Sequence, residues 1–196
     1  LGADFVMPAD YFAENVLPES ALQQNARGKD VDIWMESARV DDKYVTDLVT
    51  FRRGEFLPLA YFSLAPHYQV DGEAPEAIGS KTNNDALVQV KLTLPDSAVN
   101  TDPTVVREYK VICVYENTNP ELPCSFNSDT NELTFRTNRF TNPDLASKLT
   151  ANFGLVYKDT RDGKPVFPVM VRDSYAGTSG QGPYAEGDKV TVYAGE

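Results

Sequence analysis

Cysteine, histidine and tryptophan are nearly missing from this chain, with two, one and one copies among 196 residues. Two thiols build neither a disulfide-dense scaffold nor a four-thiolate zinc site. A lone imidazole, His67, rules out a two-histidine metal centre. Long apolar runs are missing too: nothing approaches the roughly twenty residues that a bilayer-spanning helix requires. The first residues lack the basic segment and apolar core of a signal peptide, so we expect a chain whose signal has been removed or which begins inside a longer protein. Positive charge is also scarce. Lys plus Arg number 18 against 29 Asp plus Glu, a net charge of −11. That field repels phosphate backbones and anionic headgroups, so nucleic acid and membrane surfaces are poor partners and no membrane insertion is expected.

Turn formers and short alternating segments are plentiful. Thirteen prolines and twelve glycines interrupt the chain at short intervals, as an all-β fold with many turns requires. Val31, Ile33 and Met35 alternate with Asp32, Trp34 and Glu36, the period-two pattern of a strand with one face toward a core. Val88, Val90, Leu92 and Leu94 repeat it and stop at Pro95. Further strands are expected at 3–8, 44–52, 57–64, 105–116, 122–127, 132–136, 152–158 and 167–172. Residues 44–52 and 57–64 would pair as a hairpin around Arg53-Gly54-Glu55, and 71–85 would form an exposed loop. One regular helix is expected over 17–24, with Pro18 early and Gly28 ending it in a left-handed cap. Strands this short bury their apolar faces only against a second sheet. The expected fold is an all-β, immunoglobulin-like β-sandwich with one short helix.

The two cysteines allow a local test. If Asn117 to Pro120 is the turn, Val111 faces Phe126, Cys113 faces Cys124 and Tyr115 faces Leu122, all on one sheet face. A bridge then forms if the Cα separation suits it, the alternative being two thiols packed as small hydrophobes. The spacing is not that of a redox motif.

Several stretches resemble a repeated module of Firmicutes cell-surface and secreted proteins. They are Arg107-Glu108-Tyr109-Lys110-Val111-Ile112-Cys113-Val114-Tyr115, then Asn131-Glu132-Leu133-Thr134-Phe135, and Phe153-Gly154-Leu155-Val156-Tyr157-Lys158-Asp159-Thr160. Leu17-Pro18 through Gly28-Lys29-Asp30-Val31 resembles that module's opening helix and strand. The likeness covers about residues 17–160 and departs at Asn142–Ala151, an insertion expected to form a short exposed helix capped by Asn142. Farther on, Gly182-Pro183-Tyr184-Ala185-Glu186-Gly187-Asp188-Lys189-Val190-Thr191-Val192 is similar to the start of an internalin-B-type repeat. Its usual continuation is missing, so that repeat is expected to be truncated. The implied organisation is 1–16 as the end of a preceding segment or a first strand, 17–163 as the sandwich, and 164–196 as the start of a second small β repeat.

Chemistry is thinly advertised. Asp41-Asp42 and Asp159 to Gly163 lack the spacing of a calcium loop and suit turns instead. Gly180-Gln181-Gly182 lacks the strand-to-helix context of phosphate binding. Tyr11, Phe12, Trp34, Tyr61, Phe62 and Tyr68 offer flat faces for sugar rings, although strand aromatics usually fill cores. Trp34 stands apart, because its parity places it opposite Ile33 and Met35; it is either exposed or packed under the helix. The resemblance implies an extracellular, non-catalytic module without cofactor, acting in adhesion or display as a spacer or binding domain. Its partner would be a host or matrix glycan or protein, or neighbouring domains of the same chain. The alternative is a carbohydrate-binding module accessory to a secreted glycan-degrading enzyme, with Trp34 as the speculative ligand contact. An enzyme domain ranks below both.

Overall fold

Alternating residues do build the strands, and two antiparallel sheets stack into a sandwich. The computed structural model describes residues 2–52, 55–116, 118–169 and 182–192. In chain order the elements are β1 (Gly2–Phe5), α1 (Ala9–Val16), α2 (Glu19–Ala26), β2 (Val31–Arg39), α3 (Lys43–Arg52), β3 (Leu57–Val70) and β4 (Glu76–Ala77). There follow β5 (Val88–Thr93), β6 (Val106–Val114), β7 (Glu121–Leu122), β8 (Cys124–Asn127), β9 (Glu132–Thr137), β10 (Asn152–Arg161), β11 (Lys164–Val169) and β12 (Gly182–Ala185).

The chain divides into two units, the first formed by 1–99 with 109–156 and the second by 100–108 with 157–196. Two of the three divisions fall inside β6 and β10, and the third lies at 99/100, ahead of β6. In the first unit one sheet runs β1-β5-β9-β8. The other joins β2 to β3 and β3 to β10, with β4 on β3 and the β6–β7 hairpin along β10. Phe153 joins the layers, lying 5.5 Å from the Phe62 ring and 6.1 Å from Phe135. Val88, Val90 and Leu92 point into this core while Gln89 and Lys91 point out, so the β5 alternation is realised as written.

At β6 and β10 the second sheet is covered on both faces, which the sequence reading did not anticipate. Residues 44–52 form no strand: they lie in α3, the longest helix among the described residues. Asp42 starts it, its Oδ1 accepting from the N–H of Tyr44 at 2.7 Å and of Val45 at 3.3 Å, the side-chain cap that orphan N-terminal donors need. Val45 and Val49 then pack on Ile112, Val114 and Val156. This explains why Val111 to Val114 is buried without alternation: one parity meets the sandwich core and the other meets α3. Gly154 permits the approach. A Cβ built there would lie 2.6 Å from Val49 Cγ2.

The expected 53–55 hairpin is likewise replaced, because β3 pairs with β2 from Val31↔Val70 to Arg39↔Phe62; Arg53 and Gly54 lie outside the described residues. Three α-helices occur among the described residues where one regular helix was expected, α1 having been missed. The end of α2 is as read. Gly28 takes φ 84°, with Gly28 N–H on Asn25 O at 2.9 Å and Lys29 N–H on Gln24 O at 3.2 Å, the paired bonds of a Schellman cap.

In the second unit, the end of β10 pairs with β11 from Asp159↔Val166 to Arg161↔Lys164, and β11 pairs with β12. Asp162 and Gly163 form the two-residue turn with φ of 51° and 77°, the positive values that Asp-Gly accepts readily. Arg107 clamps Asp159 through two bonds of 2.6 and 2.7 Å and stacks its guanidinium 4.2 Å from the Tyr157 ring centre. Of the strand expected at 167–172, residues 170–172 lie outside the described residues.

Candidate functional site

Strand parity assembles the most feature-rich open surface. Even-numbered residues of β2 turn away from the sandwich core, and register sets Asp32 beside Gln69, Trp34 beside His67 and Glu36 beside Ala65. The Trp34 and His67 rings stack at 5.7 Å with 14° between their planes. Trp34 Nε1 donates to Glu36 Oε1 at 3.3 Å. His67 Nδ1 lies 3.0 Å from Ala65 O and 4.0 Å from Glu36 Oε2. A carbonyl only accepts, so Nδ1 carries a proton and donates it to Ala65 O. Beyond His67 the next strand position is Ala77, too small to overhang the rings. The result is a half-buried aromatic stack flanked by two carboxylates and an amide. Such a ledge can pack an apolar ring face and accept hydrogen bonds from hydroxyls around it.

Trp34 is therefore half-buried, with its ring on that of His67. It also lines a cleft of about 510 Å³ together with Phe5, Val6, Ile33, Met35 and Lys91. The other aromatics divide differently. Phe12 and Phe62 are core. Tyr68 is buried, its hydroxyl on Glu76 Oε2 at 2.5 Å; burial first, and that bond second, push its pKa up. Tyr61 packs against the α3 cluster, and Tyr11, 41% exposed, reaches Leu87 O at 3.4 Å.

A second concavity, about 610 Å³, lies over β5, β9 and β8 and has Leu87, Gln89, Ser125, Thr134 and Arg136 along it. Arg136 faces Gln89 across the pair, and Ser125 Oγ meets Thr134 Oγ1 at 2.7 Å. Sequence reading did not find this groove. Only the outward parity of β5 and β9 hinted at it, and that parity looks the same on any solvated sheet.

The disulfide candidate is overturned. Cys113 and Cys124 are unbridged. The turn between β6 and the returning strand is shorter than expected: Tyr115 and Thr118 exchange backbone bonds of 3.1 and 2.9 Å, and Glu116 takes φ 51°. Val111 consequently pairs with Leu122, four positions from the expected Phe126. After Leu122 the chain leaves this sheet at Pro123, and Cys124 pairs with Phe135 in the other sheet. Burial pushes the Cys113 thiol up to about 12, with Arg139 opposing slightly. Cys124 donates to Tyr109 O at 3.0 Å.

The acidic candidates have structural partners. Asp42 caps α3 and accepts the Ser147 hydroxyl at 2.6 Å. That bond, ahead of the opposing desolvation and the Val45 and Tyr44 amides, sets its carboxyl below the ordinary value. Asp159 is held by Arg107. Among the described residues no group of three or more His, Cys, Asp or Glu side chains is placed to hold a metal ion, and no helix is long and apolar enough to cross a membrane. Gly180 and Gln181 lie outside the described residues. The 142–151 insertion carries a short 3₁₀ helix at Ser147–Leu149, but Asn142 forms an Asx turn ahead of it and does not cap it. Its ends are tied by Thr141 Oγ1 to Ala151 O at 2.6 Å and Asn142 N to Thr150 Oγ1 at 2.5 Å.

Compared with known protein families, with curated proteins and with solved structures, the chain finds no match.

Proposed function

We propose that this chain is a non-catalytic, immunoglobulin-like module of a bacterial surface or secreted protein, working in adhesion or display, and that it meets its partner through the Trp34 ledge. The observation that carries this reading is the Trp34–His67 stack with Glu36, Asp32 and Gln69 around it on an uncovered sheet face. Elsewhere polar groups with distinctive chemistry are engaged in holding the fold: Asp42 caps, Asp159 pairs and Cys113 is buried. The resemblance of residues 17–160 to surface modules supports the cellular context.

The same ledge favours a second reading, a carbohydrate-binding module accessory to a secreted glycan-degrading enzyme. A flat ring flanked by acceptors suits the apolar face and hydroxyl rim of a neutral sugar.

The test is a binding screen of the purified chain on host glycans, mucin, matrix proteins and insoluble polysaccharides, with Trp34→Ala and Arg136→Ala alongside. Binding to host glycans or proteins that Trp34→Ala abolishes and Arg136→Ala spares supports the adhesion reading. Binding confined to insoluble polysaccharide, with the same sensitivity, selects the accessory module. Loss only in Arg136→Ala moves the site to the groove over β5 and β9 and sinks the ledge.

A further inference from the structure

The strand that carries the ledge is also the hydrogen-bonding edge of its sheet, with β1 of the other sheet close beside it. Among the described residues β2 pairs with β3 alone. Val40 N–H bonds Tyr61 O, and Asp71 N–H bonds Asp30 O, each at 2.9 Å. Antiparallel alternation carries that parity through the strand. Even positions therefore use their backbone groups on β3, while Val31, Ile33, Met35, Ser37 and Arg39 aim N–H and C=O away from the sheet. Edge strands are normally protected by brevity, proline, bulges or inward-pointing charges. β2 has nine residues in unbroken register and no proline. Its core-side residues Val31, Ile33 and Met35 are apolar and only half-buried, and the 510 Å³ cleft opens beside Ile33 and Met35.

We propose that β2 pairs antiparallel with β2 of a second copy about a two-fold axis, so that the two ledge-bearing sheets join. The side chains select a register. Centred on Met35, the pairing sets Trp34 opposite the partner's Glu36, Asp32 opposite the partner's Ala38 and Val31 opposite the partner's Arg39. Centring on Trp34 instead would oppose Asp32 to the partner's Glu36, and centring on Glu36 would oppose that residue to itself. Like charges directly across a pair are unfavourable, so the Met35 register is preferred. It also lays Arg39, whose side chain is 84% exposed and tied to an exposed Asp41, along the end of the partner strand that carries Asp30 and Asp32. Such an interface is isologous and closes as a dimer. Two Trp34–His67 stacks then share one sheet face on either side of the axis. The pairing itself is independent of whether the ledge binds a glycan.

Sedimentation and light scattering across a concentration series should show monomer passing to dimer, and Met35→Pro should stay monomeric with an unchanged far-UV spectrum, because β3 does not use that N–H. Wild-type chain that remains monomeric throughout overturns the proposal, as does a folded Met35→Pro variant that still dimerises. Should Met35→Pro not fold, Met35→Cys in a Cys124→Ser background decides. Mild oxidation should link two copies through position 35, whereas Ser37→Cys, which faces the partner's Ile33, should not link to itself. Equal crosslinking at both positions, or none at 35, contradicts the register and the pairing with it.

Discussion

At the scale of single residues, Gly154 shows how a side chain's absence positions a helix. Its place in β10 brings the backbone against Val49 of α3, where a Cβ would sit 2.6 and 2.7 Å from the two valine methyls. A β-branched side chain has little room to swing aside. Gly154→Ala should therefore cost about 1–3 kcal/mol through overpacking, read as a lower denaturant midpoint, and the added substitution Val49→Ala should recover part of the loss. The cysteines make a complementary case. With its thiol at about 12 and 2% of its surface exposed, Cys113 should resist a thiol-reactive dye at mildly alkaline pH, whereas denaturant should expose it. Labelling of native Cys113 at the rate of a free thiol would contradict its placement. The cysteine pairing was misread because register depends on turn length. A two-residue turn and a four-residue turn preserve side-chain parity, so the hydrophobic pattern alone does not separate them.

At the scale of elements, legibility followed how many faces of a strand are buried. β5 has one buried face, and its alternation was plain. β6 has two, and its continuous run Val111 to Val114 showed burial without showing what covers it. The cover, α3, was misassigned because Tyr44, Val45, Thr46, Val49 and Thr50 favour strands by propensity. The contrary signs were present: Asp42 ahead of the segment, then Tyr44, Val45, Leu48 and Val49 at helical spacing. Tertiary packing decided between them. Phe12 and Val16 of α1, both buried and one helical turn apart, carried the same overlooked signal. Asp42→Ala should remove the α3 cap and cost about 1 kcal/mol. The Ser147 bond adds a pH dependence. Asp42 has a depressed folded-state pKa, so the stabilisation it gives exists above the unfolded value and is lost as pH falls through the folded one. Ser147→Ala should accordingly melt below wild type at neutral pH, and the gap should close in acid. A gap that widens in acid would reverse the assigned sign. In the second unit, Arg107→Ala should leave Asp159, whose side chain is 9% exposed, buried without its guanidinium. The expected loss is about 3 kcal/mol, and the double variant Arg107→Met/Asp159→Leu should lose less.

At the scale of the whole molecule, composition and spacing sufficed for an all-β sandwich, since many short strands between turn formers have few other ways to bury their faces. The ledge was half legible. Trp34 could be placed on the outward parity of β2 from the alternation around it, but His67 lies 33 positions away in sequence, and only the β2–β3 register brings the rings together. The unit divisions within β6 and β10 were hidden for a similar reason, because nothing in a strand's own residues reports where its neighbours change. Trp34 is the only tryptophan, so its fluorescence reports on the ledge directly. The decisive measurement is a titration of that fluorescence with whichever glycan or protein the binding screen retains. A saturable change in intensity or emission maximum, at the same concentrations that saturate immobilised binding, is the result predicted. Saturated binding with an unaltered Trp34 signal would place the partner elsewhere on the molecule and contradict the account.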